Sequence, residues 1–442
     1  MSSSTRDASP HTGSDRAEVG PGELRKEPGG PTKAVQRALV FSRAFYAFFF
    51  AAGAFLSPFL ALYFDSLGLR GSQIGVLRGL SPLITVGSAP LWGALADATR
   101  RDKLIRLVTM SVAWVAVLGV ALTNQYAVLI GMIALYAFFG APVMPLVDNA
   151  VIALLGSDSD RYGQQRLWGA VGWGPAGLLA GLLIDRFGLS VAFVGYLILM
   201  GLAGVMALAI PAAGDAADSH KLPGSGALSE IDFAVRRSFW QDLRRLFFNR
   251  SWMVFLLTIL VGGMFLAVEM NYLFLYLDTL GASETLMGFA LVLTTVSEVP
   301  IWALAPRLLR RWGPRGLLTA ALLAAIVQAL AYSWMQAAWI ALPVQLLHGL
   351  AFPAMWAAGV AYAARSAPPG TKATAQGAYN AVQMGLSVAI GAFLGGLLIE
   401  RVGGAVTFRL TAVTSLVALG LVWLGTKPQR DVGSRGGEAS VP

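Results

Sequence analysis

Two octapeptides carry the clearest sign of how this chain is built: residues 181–188 are GLLIDRFG and residues 396–403 are GLLIERVG. Their first residues are 215 positions apart (396 − 181), close to half of the 442-residue chain. A weaker echo links residues 89–97, APLWGALAD, with residues 299–307, VPIWALAPR. We therefore predict two halves that contain the same elements in the same order.

The composition is that of a membrane protein. Hydrophobic residues make up 56% of the chain, charged residues make up only 13%, and the mean hydropathy is +0.64. A soluble protein carries about 25% charged residues, so a soluble domain of this size is excluded. The 50 glycines suit close packing of helices in lipid.

Several kinds of chemistry are disfavoured by what the sequence lacks. There are no cysteines, which excludes disulfides, zinc–thiolate sites and thiol catalysis. No HExxH motif and no nucleophile–base set occurs, so we do not expect an enzyme. Two of the three histidines, His11 and His220, lie in polar segments, so neither a metal site nor a cofactor is predicted.

About twelve apolar segments are near the twenty residues that cross a bilayer as a helix. They are grouped six and six, which predicts one six-helix bundle at 37–210 and a second at 251–426. The predicted spans are 38–65, 72–96, 104–123, 126–155, 163–184, 189–210, 251–278, 284–309, 315–335, 338–364, 372–399 and 404–425.

Three polar segments flank and separate these bundles. Residues 1–36 and 427–442 are predicted to be disordered tails, because they are polar and contain no hydrophobic run. The linker at 211–250 ends in DFAVRRSFWQDLRRLFFNR, where basic and apolar residues alternate at helical spacing. We predict that this part of the linker is an amphipathic helix on the cytoplasmic membrane surface.

Lys and Arg are concentrated in one set of connections between the spans. That set includes the segments 100–106 and 307–315 and the linker, whereas the alternate set holds only Arg70, Arg186 and Arg401. By the positive-inside rule both termini are cytoplasmic, in a multi-pass protein of the cytoplasmic (inner) membrane. The same clustering accounts for the net charge of +9, so no nucleic-acid partner is expected.

Arg166 is the least expected residue of the apolar segments, because a cation in hydrocarbon costs at least about 2.5 kcal/mol. Asp148 lies 18 residues before it (166 − 148), and both are nine positions from Ser157, the midpoint of the connection between two spans. Residues equidistant from the turn of a helical hairpin lie at similar depth, so we predict an ion pair. The pair either locks the hairpin or forms part of a binding site.

Neighbouring residues favour the binding site. Trp173 follows Arg166 by seven positions, which is two helical turns, and lies on the same helix face. Asn149 adds a polar group beside Asp148, and two nearby prolines interrupt backbone hydrogen bonding. A cation, an acid and an aromatic ring on one wall suit a small polar solute with an apolar side, such as a sugar.

Three further ionisable residues lie inside predicted spans: Glu269, Glu298 and His348. A carboxyl group without a partner in hydrocarbon is more stable protonated than ionised, which is the behaviour of a proton carrier. The alternative for each of the three is a hydrogen bond between helices. They are therefore candidates for proton coupling, with Glu298 also a candidate for solute binding.

Other charged residues are given structural roles. Arg43, Arg78 and Arg409 lie nearer the ends of spans, where a long side chain reaches the membrane interface. In the connection GALADATRRDK, Asp97 and Arg101 are candidates for a conformational contact that clasps a neighbouring helix. We expect this contact to take part in gating and not in solute binding.

Four motifs together resemble the major facilitator superfamily. GALADATRR is similar to the loop signature of that superfamily. YGQQRLWGAVGW, TTVSEVPIW and LLHGLAFP resemble segments five, eight and ten of lactose permease and its relatives, including the phenylpropionate-permease-like branch. The resemblance extends from about Ala44 to Leu424. It implies an all-α integral membrane protein with twelve transmembrane helices, in two six-helix halves around a central cavity.

The resemblance also implies roles for single residues. Asp148 and Arg166 match residues that bind the sugar, and Trp173 matches the residue that stacks on its ring. Glu298 matches a residue that joins sugar binding to proton coupling, and His348 matches a functional histidine.

The chain departs from the resembled pattern at the expected proton relay. Ala351 stands where the family has its proton-accepting Glu, and Gln328 stands where it has the partner Arg. Gln345 replaces a Lys, so Glu269, which matches the Asp that pairs with that Lys, lacks that partner. The binding wall is therefore mostly present, and the family's proton relay is not.

These observations predict a secondary active transporter that moves a small polar solute, of sugar, nucleoside or aromatic-acid type, by alternating access. Proton coupling is expected, and a monomer in the lipid bilayer is the expected state. The alternative is a proton-independent facilitator or a multidrug-type exporter. A more distant alternative is a membrane sensor that binds a ligand without transporting it.

Overall fold

The computed structural model describes residues 33–213, 248–367 and 371–425, and these are nearly all helical. The predicted C-terminal tail and almost all of the predicted linker, including its amphipathic helix, lie outside the described residues. So does the N-terminal tail except for its last four residues. Those four are helical, because the first helix begins at Lys33 and not at the predicted boundary of 37.

The first half contains eight helices, several of which are parts of one broken segment. Proline sets the breaks, because it lacks the N–H that continues a helix: α1 and α2 are separated by a turn that includes Pro58, and α5 and α6 by one that includes Pro142. The helices are α1 Lys33–Leu56, α2 Leu60–Ser66, α3 Gly71–Thr99, α4 Asp102–Ala121, α5 Tyr126–Gly140, α6 Val143–Leu155, α7 Tyr162–Phe187 and α8 Ser190–Leu208. A 3₁₀ turn, Gly156–Arg161, joins α6 to α7.

The second half contains six α-helices, one 3₁₀ helix, Ala338–Ile340, and one π-helical segment, Ala381–Leu386. The helices are α9 Arg250–Thr279, α10 Glu284–Trp334, α11 Ala341–Gln345, α12 His348–Ser366, α13 Lys372–Asn380 and α14 Ser387–Gly425.

Within the described residues, nine helices are long and apolar enough to cross a membrane, or ten if the bent pair at 338–366 is one span. One of them, α10, has 51 residues, which is about 77 Å of helix against a hydrocarbon core of about 30 Å. Gly313 interrupts it with φ 66° and ψ 173°. The hydroxyl of Tyr276 donates to the carbonyl of Tyr332 at 3.2 Å. Since Tyr276 precedes α10, the chain must reverse direction within that helix.

The other very long helix is interrupted in the same way at Gly403, which has φ 78° and ψ 170°. Gly391 and Ala418, on opposite sides of this interruption, both pack on α9, at Ala267 and Gly262 respectively. The chain therefore also doubles back at Gly403. The predicted number of twelve membrane crossings requires each long helix to cross twice, and it stays a prediction.

The two octapeptides occupy equivalent places in the two halves. They end at Gly188, with φ 85° and ψ 168°, and at Gly403. Only glycine adopts such a conformation readily. Their first glycines both lie against a glycine of the other half, Gly181 against Gly288 and Gly396 against Gly75. Each octapeptide therefore ends a helix whose preceding turns pack across the boundary between the halves.

The acidic residue of each octapeptide also bonds to the other half. The carboxylate of Asp185 accepts from the hydroxyl of Thr285 at 2.6 Å, and that of Glu400 accepts from the backbone N–H of Ser72 at 2.8 Å. We call these two bonds the clasps. They are related by the internal repeat, since Ser72 and Thr285 are each the second residue of a helix, α3 and α10.

The clasps lie at one end of the molecule, where the two halves pack closely. At the other end, α3 and α7 have open space around them. Near the clasps, α3 packs on α14 and α7 packs on α10 through glycines with little free space around them. At the opposite ends of α3 and α7, a Cβ on Gly93 or Gly163 would have no described atom within 4 Å beyond its own helix. The space between the halves is therefore closed at the clasp end.

Candidate solute-binding site

The helix α7 positions the candidate site because glycines let it lie directly on α1. Gly169 packs on the ring of Phe50, and Gly172 lies so close to the carbonyl of Ala47 that a Cβ there would overlap it. This small-residue face is typical of helix pairs in membranes. It places Arg166, one turn before Gly169, beside the aromatic residues of α1.

The predicted ion pair between Asp148 and Arg166 is present. Nη1 of Arg166 lies 3.1 Å from both carboxylate oxygens of Asp148. Arg166 keeps 38% of its side-chain surface exposed and Asp148 keeps 23%. The pair therefore borders open space instead of being sealed between helices. An ion pair with this exposure can accept further hydrogen bonds from a solute.

Two aromatic residues of α1 complete this pair, and the sequence analysis did not find them. The hydroxyl of Tyr46 donates to Asp148 at 2.7 Å. The guanidinium of Arg166 lies 5.8 Å from the ring centre of Tyr46 and 5.3 Å from that of Phe50, which is cation–π distance. Their spacing of four residues on α1 is the only sequence signal, and it is weak in a segment that is apolar all round.

Trp173 and Asn149 differ in their relation to the pair. Trp173 is half-buried, and its ring packs on Gly53 of α1, two turns beyond Tyr46. Asn149 is exposed, and successive residues of a helix point about 100° apart, so it does not share the face of Asp148. The structure therefore places Trp173 on the same side of α1 as the pair of Asp148 and Arg166. It does not place Asn149 next to that pair.

The three proton-coupling candidates of the second half form one connected cluster. Nδ1 of His348 lies 3.0 Å from Glu269, and its Nε2 lies 3.5 Å from Glu298. The histidine is thus held between two carboxylates. Glu298 is the more accessible acid, with 24% of its side chain exposed against 4% for Glu269.

Glu269 has more partners than the sequence analysis predicted. It lacks the Lys partner, but Nε2 of Gln328 donates to it at 2.8 Å and the hydroxyl of Tyr332 at 3.1 Å. The neutral Gln328 thus occupies the place of the expected Arg and still bonds the carboxylate. Tyr332 was missed because nothing in its local sequence distinguishes it from an ordinary core aromatic. Ala351 is fully buried.

The two clusters lie on either side of the contact between α7 and α10. Gly174 follows Trp173, and a Cβ on it would lie 3.4 Å from the side chain of Thr295. Thr295 is one turn before Glu298 on α10. Trp173 and Glu298 therefore belong to different halves, and the helices that carry them approach each other at this point.

The gating candidates are not engaged in this conformation. Asp97 and Arg101 are exposed, and neither forms an ion pair with a residue in the described ranges. Both lie at the end of the molecule away from the clasps. A contact made by these residues would belong to a state in which that end is closed.

Of the three arginines given structural roles, one was placed wrongly. Arg409 is exposed, as expected for a residue near a span end. Arg43 is half-buried and donates to the side chain of Gln165 at 3.1 Å. Arg78 lies inside the molecule, where its Nε is 2.5 Å from the amide oxygen of Asn271 in the other half. Distance from a span end did not predict this, because α9 covers Arg78 only in the folded protein.

Long apolar helices in two packed halves, with part-exposed ionisable residues on them, define a multi-pass membrane protein, and the match of its sequence to the MFS_1 like family and to a curated permease makes it a transporter of the major facilitator type and not an enzyme. The pattern of the MFS_1 like family matches residues 40–410, and the chain belongs to that family.

Curated relatives are similar over nearly the whole chain. It is 29% identical to the maltose permease of Geobacillus stearothermophilus, over 90% of this chain and 97% of the permease. It is 28% identical to the probable 3-phenylpropionic acid transporter of Escherichia coli (strain K12), over 87% and 96% of the two chains. The fold is similar to the crystal structure of the nucleoside transporter NupG, with a TM-score of 0.71 and 15% identity over 89% of this chain and 98% of that one.

Proposed function

We propose that this protein is a secondary active transporter of a small polar solute, which is held by Asp148, Arg166 and Trp173. The carrying observation is the part-exposed ion pair, whose two side chains keep 38% and 23% of their surface exposed. A pair sealed between α6 and α7 could not reach a solute, whereas both groups of this pair keep surface that a solute can contact. Asp148 accepts and Arg166 donates, so both the donors and the acceptors of a hydroxylated solute find partners.

The relatives support a solute class instead of a single compound. Their names refer to maltose, 3-phenylpropionic acid and, for the structural neighbour, nucleosides. A polar group next to a flat or ring-shaped apolar part is common to all three. We therefore infer a solute of sugar, nucleoside or aromatic-acid type for the wall formed by Arg166 and Trp173.

We further propose that protons drive the transport through Glu298, His348 and Glu269. The chain of contacts from the accessible Glu298 through His348 to the buried Glu269 offers a proton three adjacent sites. Protonation of Glu298 removes a charge from the space between the halves and lowers the cost of closing that space around a solute. Replacement Glu298→Gln, which is a permanent mimic of the protonated acid, should leave exchange intact and abolish accumulation against a gradient.

The membrane placement follows from the charged loops. Basic residues are enriched in the loops at the end of the molecule that contains Asp97. We assign this end to the cytoplasmic side of the inner membrane. Both termini then lie on that side. The clasp end faces outward, and we propose that one polypeptide is the transporting unit.

A thermal-shift screen of the purified protein with sugars, nucleosides and aromatic acids tests the solute site. A compound that raises the Tm of the wild type should raise it much less in Arg166→Gln and fully in Arg409→Gln, a matched neutralisation of an exposed arginine. A hit whose shift is the same in Arg166→Gln would place its binding elsewhere.

One observation favours a second candidate, a proton-independent facilitator or exporter. Ala351 is buried where a relay acid is expected, and Gln328 is neutral, so the proton path has fewer acids than the resembled pattern. Uptake into proteoliposomes with and without an imposed pH gradient separates the two. Accumulation above equilibrium that needs the gradient supports coupling, and equal final levels support the facilitator.

A further inference from the structure

A cavity of about 230 Å³ lies inside the first half, apart from the ion pair of Asp148 and Arg166. Its walls come from α1, α2 and the turn between them, and from α3, α4, α5 and α8, and α9 and α14 of the second half cover it. Most of the lining is apolar, and the residues of this kind include Leu56, Leu60, Leu77, Val117, Ile133 and Phe193. We call it the Arg78 cavity, because Arg78 is the one charged residue in its lining.

The charge of Arg78 has no acidic partner among the described residues. Its one hydrogen bond to a described side chain runs from Nε to the neutral amide of Asn271. The other amide group of Asn271 is already used, because it donates to the carbonyl of Ala267 at 2.6 Å. A guanidinium in a low-dielectric cavity with one neutral partner is costly, and the usual solution is an anion.

We propose that the Arg78 cavity binds a small organic monocarboxylate, with the carboxylate on the Arg78 guanidinium and the apolar body against the cavity walls. The guanidinium presents a planar fork that matches a carboxylate with two parallel hydrogen bonds. One cation neutralises one negative charge, so a dicarboxylate would leave a charge unpaired. Ligand pockets usually measure about 300–1,000 Å³, so a cavity of this size selects a compact body such as a single ring.

The cavity has polar groups that suit a carboxylate as well. Ser57 and Ser81 line it with hydroxyls, and Tyr136 and Tyr196 line it with phenol rings. Hydroxyl donors add hydrogen bonds to a bound carboxylate, and aromatic rings pack on an aromatic body. The lining therefore offers both the charge and the shape that the proposal requires.

This site is distinct from the proposed solute wall and does not rest on it. Gly53 lines the cavity and also packs on the ring of Trp173, so the tryptophan lies between the two places. The cavity is on the clasp side of the pair of Asp148 and Arg166, since Gly53 is about two turns from Tyr46 in that direction. A ligand at Arg78 therefore does not need Arg166.

Equilibrium binding of radiolabelled benzoate and phenylacetate to the purified full-length protein in detergent tests the proposal. We expect saturable binding of at least one of the two acids, and at least tenfold weaker competition by its neutral analogue, benzamide or phenylacetamide. Arg78→Gln should weaken binding of the acid at least tenfold, and Arg78→Lys, which keeps the charge without the fork, should weaken it less. Arg409→Gln should bind as the wild type does.

Several results would overturn this assignment. They are the absence of saturable binding of either acid to the folded wild type, equal competition by the neutral amides, and unchanged binding in Arg78→Gln. Loss of binding in Arg166→Gln with retention in Arg78→Gln would move the acid to the solute wall. If Arg78→Gln does not give a monodisperse protein, the comparison of acid with amide on the wild type and Arg78→Lys decides the matter.

The variant Asn271→Ala distinguishes a purely structural role of Arg78 from a role in binding the acid. If Arg78 serves only to bond Asn271, the two variants Arg78→Gln and Asn271→Ala should behave alike. The proposal instead expects Asn271→Ala to keep acid binding within about threefold of wild type. Because these measurements need neither transport nor Arg166, they distinguish failure of this site from failure of the proposed transport function.

Discussion

At the scale of single residues, the partners of Arg166 include a carboxylate and two aromatic rings, and those of Asp148 include a guanidinium and the phenol of Tyr46. Removing either charge leaves the other partly buried and unpaired. A fully buried pair that loses one partner costs about 3–5 kcal/mol. The exposure of this pair reduces the expected cost, because water reaches both groups.

We predict that Asp148→Asn and Arg166→Gln each destabilise the protein by on the order of 1–3 kcal/mol, while the double variant is more stable than the sum of the two predicts. Thermal unfolding of the four proteins in one detergent measures this coupling. Solute binding should be lost in all three variants. Additive losses of stability would show that the contact between the two charges contributes nothing beyond their separate environments.

Tyr46 leads to a second prediction at this scale. Tyr46→Phe keeps the ring and removes the hydroxyl that donates to Asp148, so we expect a loss of about 1.5–3 kcal/mol, which is typical of a hydrogen bond to a charged group. Affinity for the solute should fall as well, because Asp148 loses one of the groups that orient it. Tyr126→Phe, on a less buried tyrosine, serves as the control in the same unfolding and binding measurements. Equal stability of the two variants would contradict a role for the Tyr46 hydroxyl.

The residue scale also shows what the sequence could and could not predict. The pair of Asp148 and Arg166 was predictable, because a hairpin turn fixes which residues share a depth. Tyr46 was not, because an apolar helix gives no sign of which face meets another helix. Arg78 was misplaced for a related reason, since its partner Asn271 is 193 residues away in the chain.

At the scale of elements, the glycines of α7 decide how it packs. Gly172 lies against the carbonyl of Ala47, where added atoms have no room, whereas Gly163 has open space at the start of the same helix. The hydrophobic pattern predicted that α7 crosses the membrane. It could not predict that one face of α7 meets α1 and another meets α10, because both faces contain the same small residues.

We predict that Gly172→Ala destabilises the protein by about 1–3 kcal/mol, because the new methyl group must push α7 away from α1. Gly163→Ala is the matched control in the same helix and should change stability by less than about 0.5 kcal/mol. The Tm of both variants measures the difference. Solute binding should also weaken in Gly172→Ala, since Arg166 and Trp173 move with α7. Identical behaviour of the two variants would contradict the close approach of α7 to α1.

The breaks between helices were also predictable from the sequence only in part. Proline and the octapeptide ends marked several turns in advance, and the reversals at Gly313 and Gly403 fall close to predicted span boundaries. The helix boundaries themselves moved by a few residues. Lys33, for example, is helical because the helix continues beyond its apolar part, and a pattern of apolar residues does not detect such an extension.

At the scale of the whole molecule, the clasps and the exposed Asp97 loop describe one conformation. The halves are joined at the clasp end by Asp185 with Thr285 and by Glu400 with Ser72, while Asp97 makes no ion pair with a described residue. Alternating access requires the reverse state, in which the clasps open and the other end closes. In the proposed alternating-access cycle, the contact between α7 and α10 therefore has to separate once in each turn of the cycle.

The absence of native cysteines permits a direct test of that separation. A Cβ on Gly174 would lie 3.4 Å from the Cβ of Thr295, close to the separation of about 3.5–4.5 Å found in disulfides. We predict that the double variant Gly174→Cys, Thr295→Cys forms a disulfide under mild oxidation and loses transport, since α7 can no longer leave α10. Reduction should restore transport, whereas each single variant should transport with or without oxidant. Full transport by the oxidised, cross-linked protein would show that this contact stays closed throughout the cycle, and the opening would then have to occur elsewhere.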